Sequence, residues 1–67
     1  MSIVKVIEVI ATSDKSWEDA ARQGVKGAAK TVSNIKSFYV ENMSAVVEND
    51  EIKEFRINGK ISFVIKG

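Results

Sequence analysis

The chain has no cysteine and no histidine among its 67 residues, and two kinds of small-domain chemistry are lost with them. Disulfides are excluded, and a structural zinc site has none of its usual thiolate and imidazole ligands. General acid–base work would fall to carboxylates, Lys or Tyr, because the side chain that titrates near neutrality is missing. No apolar run approaches the roughly 20 residues of a membrane-spanning helix. Charge of one sign is lacking too: ten basic and nine acidic side chains are interspersed for a formal net charge of +1, so no face is built to neutralise many phosphates. The expected protein therefore has no nucleic-acid partner and no membrane partner. Its first residues, Met1-Ser2-Ile3-Val4-Lys5, carry no basic leader, and a cytoplasmic location is expected.

What is present reads as globular protein, 45% hydrophobic and 28% charged, with apolar residues spread too evenly for a disordered tail. The expectation is a single domain over residues 1–67. A chain this short buries only about 60% of the surface that its unfolded form exposes. With disulfides and zinc gone, oligomerisation is the remaining way to stabilise it.

Ile3 to Ile10 alternate and yet are apolar on both sides, with Ile3, Ile7 and Val9 on one face and Val4, Val6 and Ile10 on the other. That pattern predicts a strand covered on both sides. One helix covers one face of a small sheet, so the second apolar face needs a partner from outside the monomer.

After Thr12-Ser13-Asp14-Lys15 the period changes. Trp17, Ala21, Gly24, Val25, Ala28 and Val32 recur at three- and four-residue spacing, opposite Glu18, Arg22, Lys26 and Lys30, which predicts an amphipathic helix of about four turns. Ser16 followed by Asp19 resembles a capping box, and Glu18 and Asp19 suit the positive end of the helix dipole. Ser33-Asn34 supplies the stop. Gly24 and Gly27 lie inside the helix at a propensity cost of about 1 kcal/mol each, which close packing on a sheet would offset.

Two β-prone runs follow, Ile35 to Val47 and Ile52 to Ile65, separated by the polar turn Glu48-Asn49-Asp50-Glu51. In the last run Phe55, Ile57, Ile61, Phe63 and Ile65 share one face, with Glu54, Arg56, Asn58, Lys60, Ser62 and Lys66 on the other. Asn58-Gly59 conflicts with this pattern, because Asn-Gly between alternating segments signals a type I′ hairpin. Gly59 keeps the alternation in phase, so one long strand is the preferred reading. The order is β, α, β, β.

Three stretches carry a resemblance: Thr12-Ser13-Asp14-Lys15-Ser16-Trp17-Glu18-Asp19-Ala20-Ala21, then Ala29-Lys30-Thr31-Val32, then Phe55-Arg56-Ile57 leading into Ile61-Ser62-Phe63. Together with the strand lengths and their order, they resemble the dodecin family across essentially the whole chain. The resemblance implies an α+β fold in which a three-stranded antiparallel sheet wraps around one helix. It implies further that twelve copies form a hollow shell, a homododecamer. The family's usual role is to bind flavins, riboflavin or FMN, for storage and for quenching of their photochemistry. The resemblance also settles Asn58-Gly59 in favour of a continuous strand.

Two departures bear on the ligand. In flavin-binding members a Trp early in the second strand stacks on the isoalloxazine, and alignment puts Ser37 there. Loss of a stacking aromatic removes on the order of 1 kcal/mol beyond area burial. A Gln near the start of the last strand bonds the flavin edge in those relatives, and Arg56 stands in its place. Arg donates and does not accept, so it satisfies flavin carbonyls but not the ring N–H, and a guanidinium also suits phosphate or carboxylate. Tyr39, two residues beyond Ser37 on the same face, is the candidate substitute, although packing at a subunit contact is the plainer reading of an aromatic there. The expected site is thus Ser37, Tyr39 and Arg56. Trp17 belongs to the helix stripe and is read as packing rather than stacking.

An enzyme is not expected. Ser13, Ser16 and Ser33 look like turn and cap residues, and Gly24 and Gly27 form no phosphate loop. The oxygen-rich turn Glu48-Asn49-Asp50-Glu51 suits a hard cation in composition only, since its spacing matches no EF-hand loop. Symmetry multiplies any carboxylate near an axis, so Glu8, Glu41 or Glu54 would suffice for a calcium site in an assembly, as is thought of family members without the Trp. The leading expectation is a shell that binds a flavin through an atypical site. A calcium-stabilised structural or storage particle is the alternative, and an adaptor that pairs peptides at its sheet edges is a third.

Overall fold

The computed structural model describes residues 2–66, with the side chains of Ser2 and Lys66 not described. The place of the Lys66 side chain on the polar face and the ends Met1 and Gly67 therefore lie outside the described residues. The element order is β1 (Ser2–Ser13), α1 (Trp17–Ala28), β2 (Ile35–Glu48) and β3 (Glu51–Lys66). All three strands form one antiparallel sheet in the order β1-β3-β2. The α+β architecture read from the sequence is the one observed.

β3 is the central strand, and its alternation decides which face is which. Ile57 and Ile61 are almost wholly buried and Phe63 is buried beside them, all on the face that carries α1. Register extends this face across the sheet: Ile7 pairs with Ile61 and Ala11 with Ile57 on β1, while Phe38 pairs with Ile61 on β2. Ala20 of α1 is completely buried against it. The other face of β1 is left in water, with Val4 59%, Val6 53% and Ile10 66% exposed, as the two-faced sequence pattern requires of a monomer.

The helix is shorter than its periodicity suggests. It ends at Ala28 after 12 residues, where Lys30 N–H turns to the Gly27 carbonyl and Thr31 N–H to that of Ala28. These i→i+3 bonds tighten the last turn and end the helix before Val32. Asn34, with φ 61°, then reverses the chain into β2. The helix start is half of a capping box. Ser16 Oγ accepts from Asp19 N–H at 2.9 Å, but the Asp19 carboxylate accepts from Ser13 Oγ at 2.6 Å instead of reaching back to Ser16. Ser13 Oγ also accepts from Lys15 N–H, so one hydroxyl ties the end of β1 to the first turn of α1.

The hairpin between β2 and β3 is a two-residue turn, with Asn49 and Asp50 both at positive φ, 52° and 62°, between the paired residues Glu48 and Glu51. That is the type I′ geometry. Asn58-Gly59 runs through the middle of β3 as continuous strand, paired on both sides. Gly59 is held there by a neighbour: a Cβ at this position would overlap the Phe38 ring and the Tyr39 carbonyl oxygen. Close packing also explains Gly24, where a Cβ would stand 3.0 Å from that of Ala11. It does not explain Gly27, around which there is open space.

Trp17 closes the far end of the helix layer. Its ring meets Phe55 edge-on at 4.8 Å between centroids, and its Nε1–H donates to the Ser44 carbonyl of β2 at 2.9 Å. One side chain on the first helical residue thus bridges to β3 and to β2. The capping register of the helix is linked in this way to the pairing of the hairpin.

The glycines give opposed expectations. Gly59→Ala forces the Phe38 ring aside and should lower stability by about 1–3 kcal/mol. Gly27→Ala fills open space in a helix and should raise it by up to about 1 kcal/mol. Thermal unfolding of the two variants against wild type checks both signs. Trp17→Phe keeps the ring on Phe55 but leaves the Ser44 carbonyl without its donor, with an expected loss of about 0.5–1.5 kcal/mol in denaturant unfolding.

Candidate functional site

Ser37, Tyr39 and Arg56 all lie on the face of the sheet turned away from α1. Ser37 pairs with Ser62, Tyr39 with Lys60, and Arg56 with Ser44 and Thr12. The helix-facing partners of the same strands are Phe38, Ile61 and Ile57. Strand alternation therefore places the three candidates together on one face and Phe38 on the other, as the sequence pattern requires.

They do not converge within one chain. Ser37 sits beside Ser62, and Arg56 is six residues further along β3, a span of about 20 Å in an extended strand. Ser37 Oγ is bonded to Ser62 Oγ at 2.5 Å, so its hydroxyl already has a partner. Tyr39 is 67% exposed and offers a ring to whatever covers that face. Arg56 lies 3.7 Å from the Glu54 carboxylate, half exposed. Such a pair in water contributes about 0.2–1 kcal/mol at most, which leaves the guanidinium available to a stronger anion.

The rest of this face is a polar band across the middle of the sheet. Glu8 pairs with Lys60 across β1 and β3. Lys60 Nζ lies 3.8 Å from the Glu41 carboxylate, and the strand register sets Glu8 on the other side of Lys60. Asn42 faces Asn58. Glu41 is the extra residue of a β-bulge between Val40 and Asn42. Such a bulge inserts an unpaired residue and bends the strand. No local sequence pattern signals it, because a bulge is set by pairing between strands.

No group of three or more carboxylates converges on a common point among the described residues. The turn Glu48-Asn49-Asp50-Glu51 is bound up with its own hairpin: Lys53 Nζ pairs with the Glu48 carboxylate at 3.0 Å. On the helix side, a cleft of about 500 Å³ lies between α1 and β2, lined by Ala21, Val25, Phe38 and Val40 with Arg22 and Lys26 at its rim. The Arg22 guanidinium is hydrogen-bonded to Glu18 at 2.7 Å, and that bond and charge hold it above its ordinary pKa. None of the three candidate residues lines this cleft. No described helix is long and apolar enough to cross a membrane.

Comparison with known proteins accords with this geometry. The family model described as Dodecin matches residues 3–66. The calcium dodecin of Mycobacterium tuberculosis is 35% identical over 66 residues, which cover 98% of this chain and 93% of that one. A crystal structure of a calcium dodecin from that organism, described as calcium-chelating with a novel calcium-binding site, superposes with a TM-score of 0.84 at 34% identity, covering 96% of this chain and 91% of the other. The dodecin from Streptomyces davaonensis gives a TM-score of 0.94 at 21% identity, covering 98% and 97% of the two chains, which is a likeness of fold. A family match over residues 3–66, with a relative 35% identical across 98% of this chain, leaves one assignment: the chain belongs to the dodecin family.

Proposed function

We propose that this chain is a shell subunit that assembles with copies of itself and takes up calcium, with no catalytic role. The carrying observation for assembly is the uncovered apolar face of β1, where Val4, Val6 and Ile10 stand more than half exposed. Fully burying side chains of this size contributes about 1.5–3 kcal/mol each. The dodecin resemblance implies twelve copies.

For the ligand, the order of the two sequence readings is reversed. Calcium gains support from the 35%-identical relative, which is named a calcium dodecin. Flavin loses support at Ser37, whose hydroxyl is tied to Ser62 where flavin-binding members of the family carry a stacking Trp. Since no three carboxylates meet within one chain among the described residues, coordination in this reading draws on more than one copy. Glu8, Glu41 and Glu54 on the outward face are the side chains that an axis would repeat. Carboxylate oxygens from several subunits suit Ca²⁺, which takes 6–8 oxygen ligands in flexible geometry. The role that follows is a cation-holding structural or storage particle.

The second reading, a flavin held by Tyr39 and Arg56, rests on one observation. Tyr39 is largely exposed on the same face as Arg56 and Ser37, where a partner copy would bring rings together.

Light scattering should give a mass near twelve times the 7.4 kDa of the chain. Ile10→Glu places a charge on the exposed face without touching the buried core and should abolish that mass; an unchanged mass would sink the assembly claim. Calorimetric titration of the chelator-treated assembly should show saturable calcium binding, and failure to bind calcium would remove the cation reading. FMN fluorescence should stay unquenched with wild type at micromolar flavin, whereas Ser37→Trp should introduce quenching. Quenching by wild type would restore the flavin reading to first place.

A further inference from the structure

Asn58-Gly59 is the one Asn-Gly pair in the chain, and its chemistry is separate from any ligand. In a flexible peptide this pair closes readily to a cyclic imide, because Gly puts no side chain in the way of its own backbone nitrogen. The other asparagines, Asn34, Asn42 and Asn49, are followed by Ile35, Met43 and Asp50, whose side chains hinder the same attack.

In the folded subunit that reaction is blocked three times over. Asn58 and Gly59 sit in the central strand, paired with Ile10 and Val9 on one side and Asn42 and Val40 on the other. Ring closure requires the backbone of Asn58 to leave the extended value of ψ, about +135° in an antiparallel sheet. Gly59 is buried, and the Phe38 ring lies so close over it that not even a Cβ would fit. The strand cannot turn here without breaking pairing on both edges.

We infer that Asn58-Gly59 is a conditional deamidation site, closed in the folded subunit and open in the unfolded chain, whose isoaspartyl product bars the chain from refolding. The Gly59 backbone nitrogen, once deprotonated, attacks Asn58 Cγ. A C–N bond forms, the Cγ–Nδ2 bond breaks, and the amide nitrogen leaves as ammonia. Water then opens the imide at one of its two carbonyls, giving aspartate or isoaspartate, with no change of oxidation state. Isoaspartate routes the main chain through the former side chain and adds a methylene to it. Every residue beyond it then falls out of step with β1 and β2, and in a strand buried on one face such a slip turns side chains to the wrong side. Residues Ile61 and Phe63, two of the few buried apolar residues, lie directly downstream. A subunit that stays too long outside the folded state is thereby marked irreversibly.

The test uses the full chain held in native buffer and, in parallel, in urea at the same mildly alkaline pH. Trypsin cuts after Arg56 and Lys60 and releases residue 58 in a four-residue peptide, in which mass and isoaspartyl content are read. The unfolded chain should convert at Asn58 ahead of Asn34, Asn42 and Asn49. The folded protein should convert more slowly by on the order of a thousandfold or more, set by how seldom a central strand opens. Similar rates in the two conditions, or no preference for Asn58 in urea, would overturn the proposal. The converted chains are then returned to native buffer beside an Asn58→Asp variant. The isoaspartyl fraction should be missing from the folded material while the variant folds; isoaspartyl chains that refold, or a variant that fails as they do, would overturn the exclusion step.

Discussion

A helix of 12 residues is about 18 Å long, and the molecule that it has to cover extends over 52 Å. Most else in this structure follows from that mismatch. The helix buries the middle of one face, where Ala11, Ala20, Ile57, Ile61 and Phe63 form the apolar core among the described residues. It leaves Ile3, Val4, Val6, Ile10, Met43, Val47 and Ile52 largely in water. A folded domain has a net stability of only about 5–15 kcal/mol, so burying even a few of these side chains against another copy would rival it. The subunit is in this sense an unfinished layer, which under the proposed assembly copies of itself would complete.

The same geometry limits what one subunit does chemically. Its long sheet spreads Ser37, Tyr39 and Arg56 along one face instead of gathering them into a pocket, and it spaces Glu8, Glu41 and Glu54 along that face with Lys60 between two of them. Among the described residues of one chain no three carboxylates meet, and Ser37 and Arg56 stand about 20 Å apart along the strand. Under a symmetry operator each residue is repeated, and a single tyrosine or glutamate becomes several. In the proposed reading, function in such a fold is a property of the contact between copies, and a serine at position 37 bears on the ligand while the sheet pairing around it stays intact.

Much of the fold was legible because the period of the sequence changes cleanly, from two in Ile3 to Ile10, to three and four from Trp17, and back to two from Phe55. Faces followed from this without error: Ile57, Ile61 and Phe63 turned inward, Tyr39 and Arg56 outward. What escaped was set by partners distant in sequence. The bulge at Glu41, the bond of Trp17 to the Ser44 carbonyl, and the capture of Asp19 by Ser13 each depend on where another strand or turn lies. Helix length was overread because Val32 keeps the apolar period while the backbone after Ala28 has already tightened. At the site, strand alternation gave the shared face but not the distances, since reach across a face depends on twist and on neighbours that a single chain lacks.

The two asparagine-containing turn signals show how local preference and tertiary packing divide the outcome. Asn49-Asp50 has no glycine and yet takes the positive φ values of a two-residue hairpin, because the pairing of Glu48 with Glu51 leaves it no other path. Asn58-Gly59, the stronger local signal, is held extended by pairing on both sides and by Phe38 lying over the glycine. Glycine is needed at 59 for the space beneath an aromatic ring, and the freedom that it brings in the unfolded chain is a by-product. The residue that lets β2 lie close on β3 is therefore also the one that makes the unfolded chain chemically fragile, so that the fold protects the peptide bond on which its own packing depends.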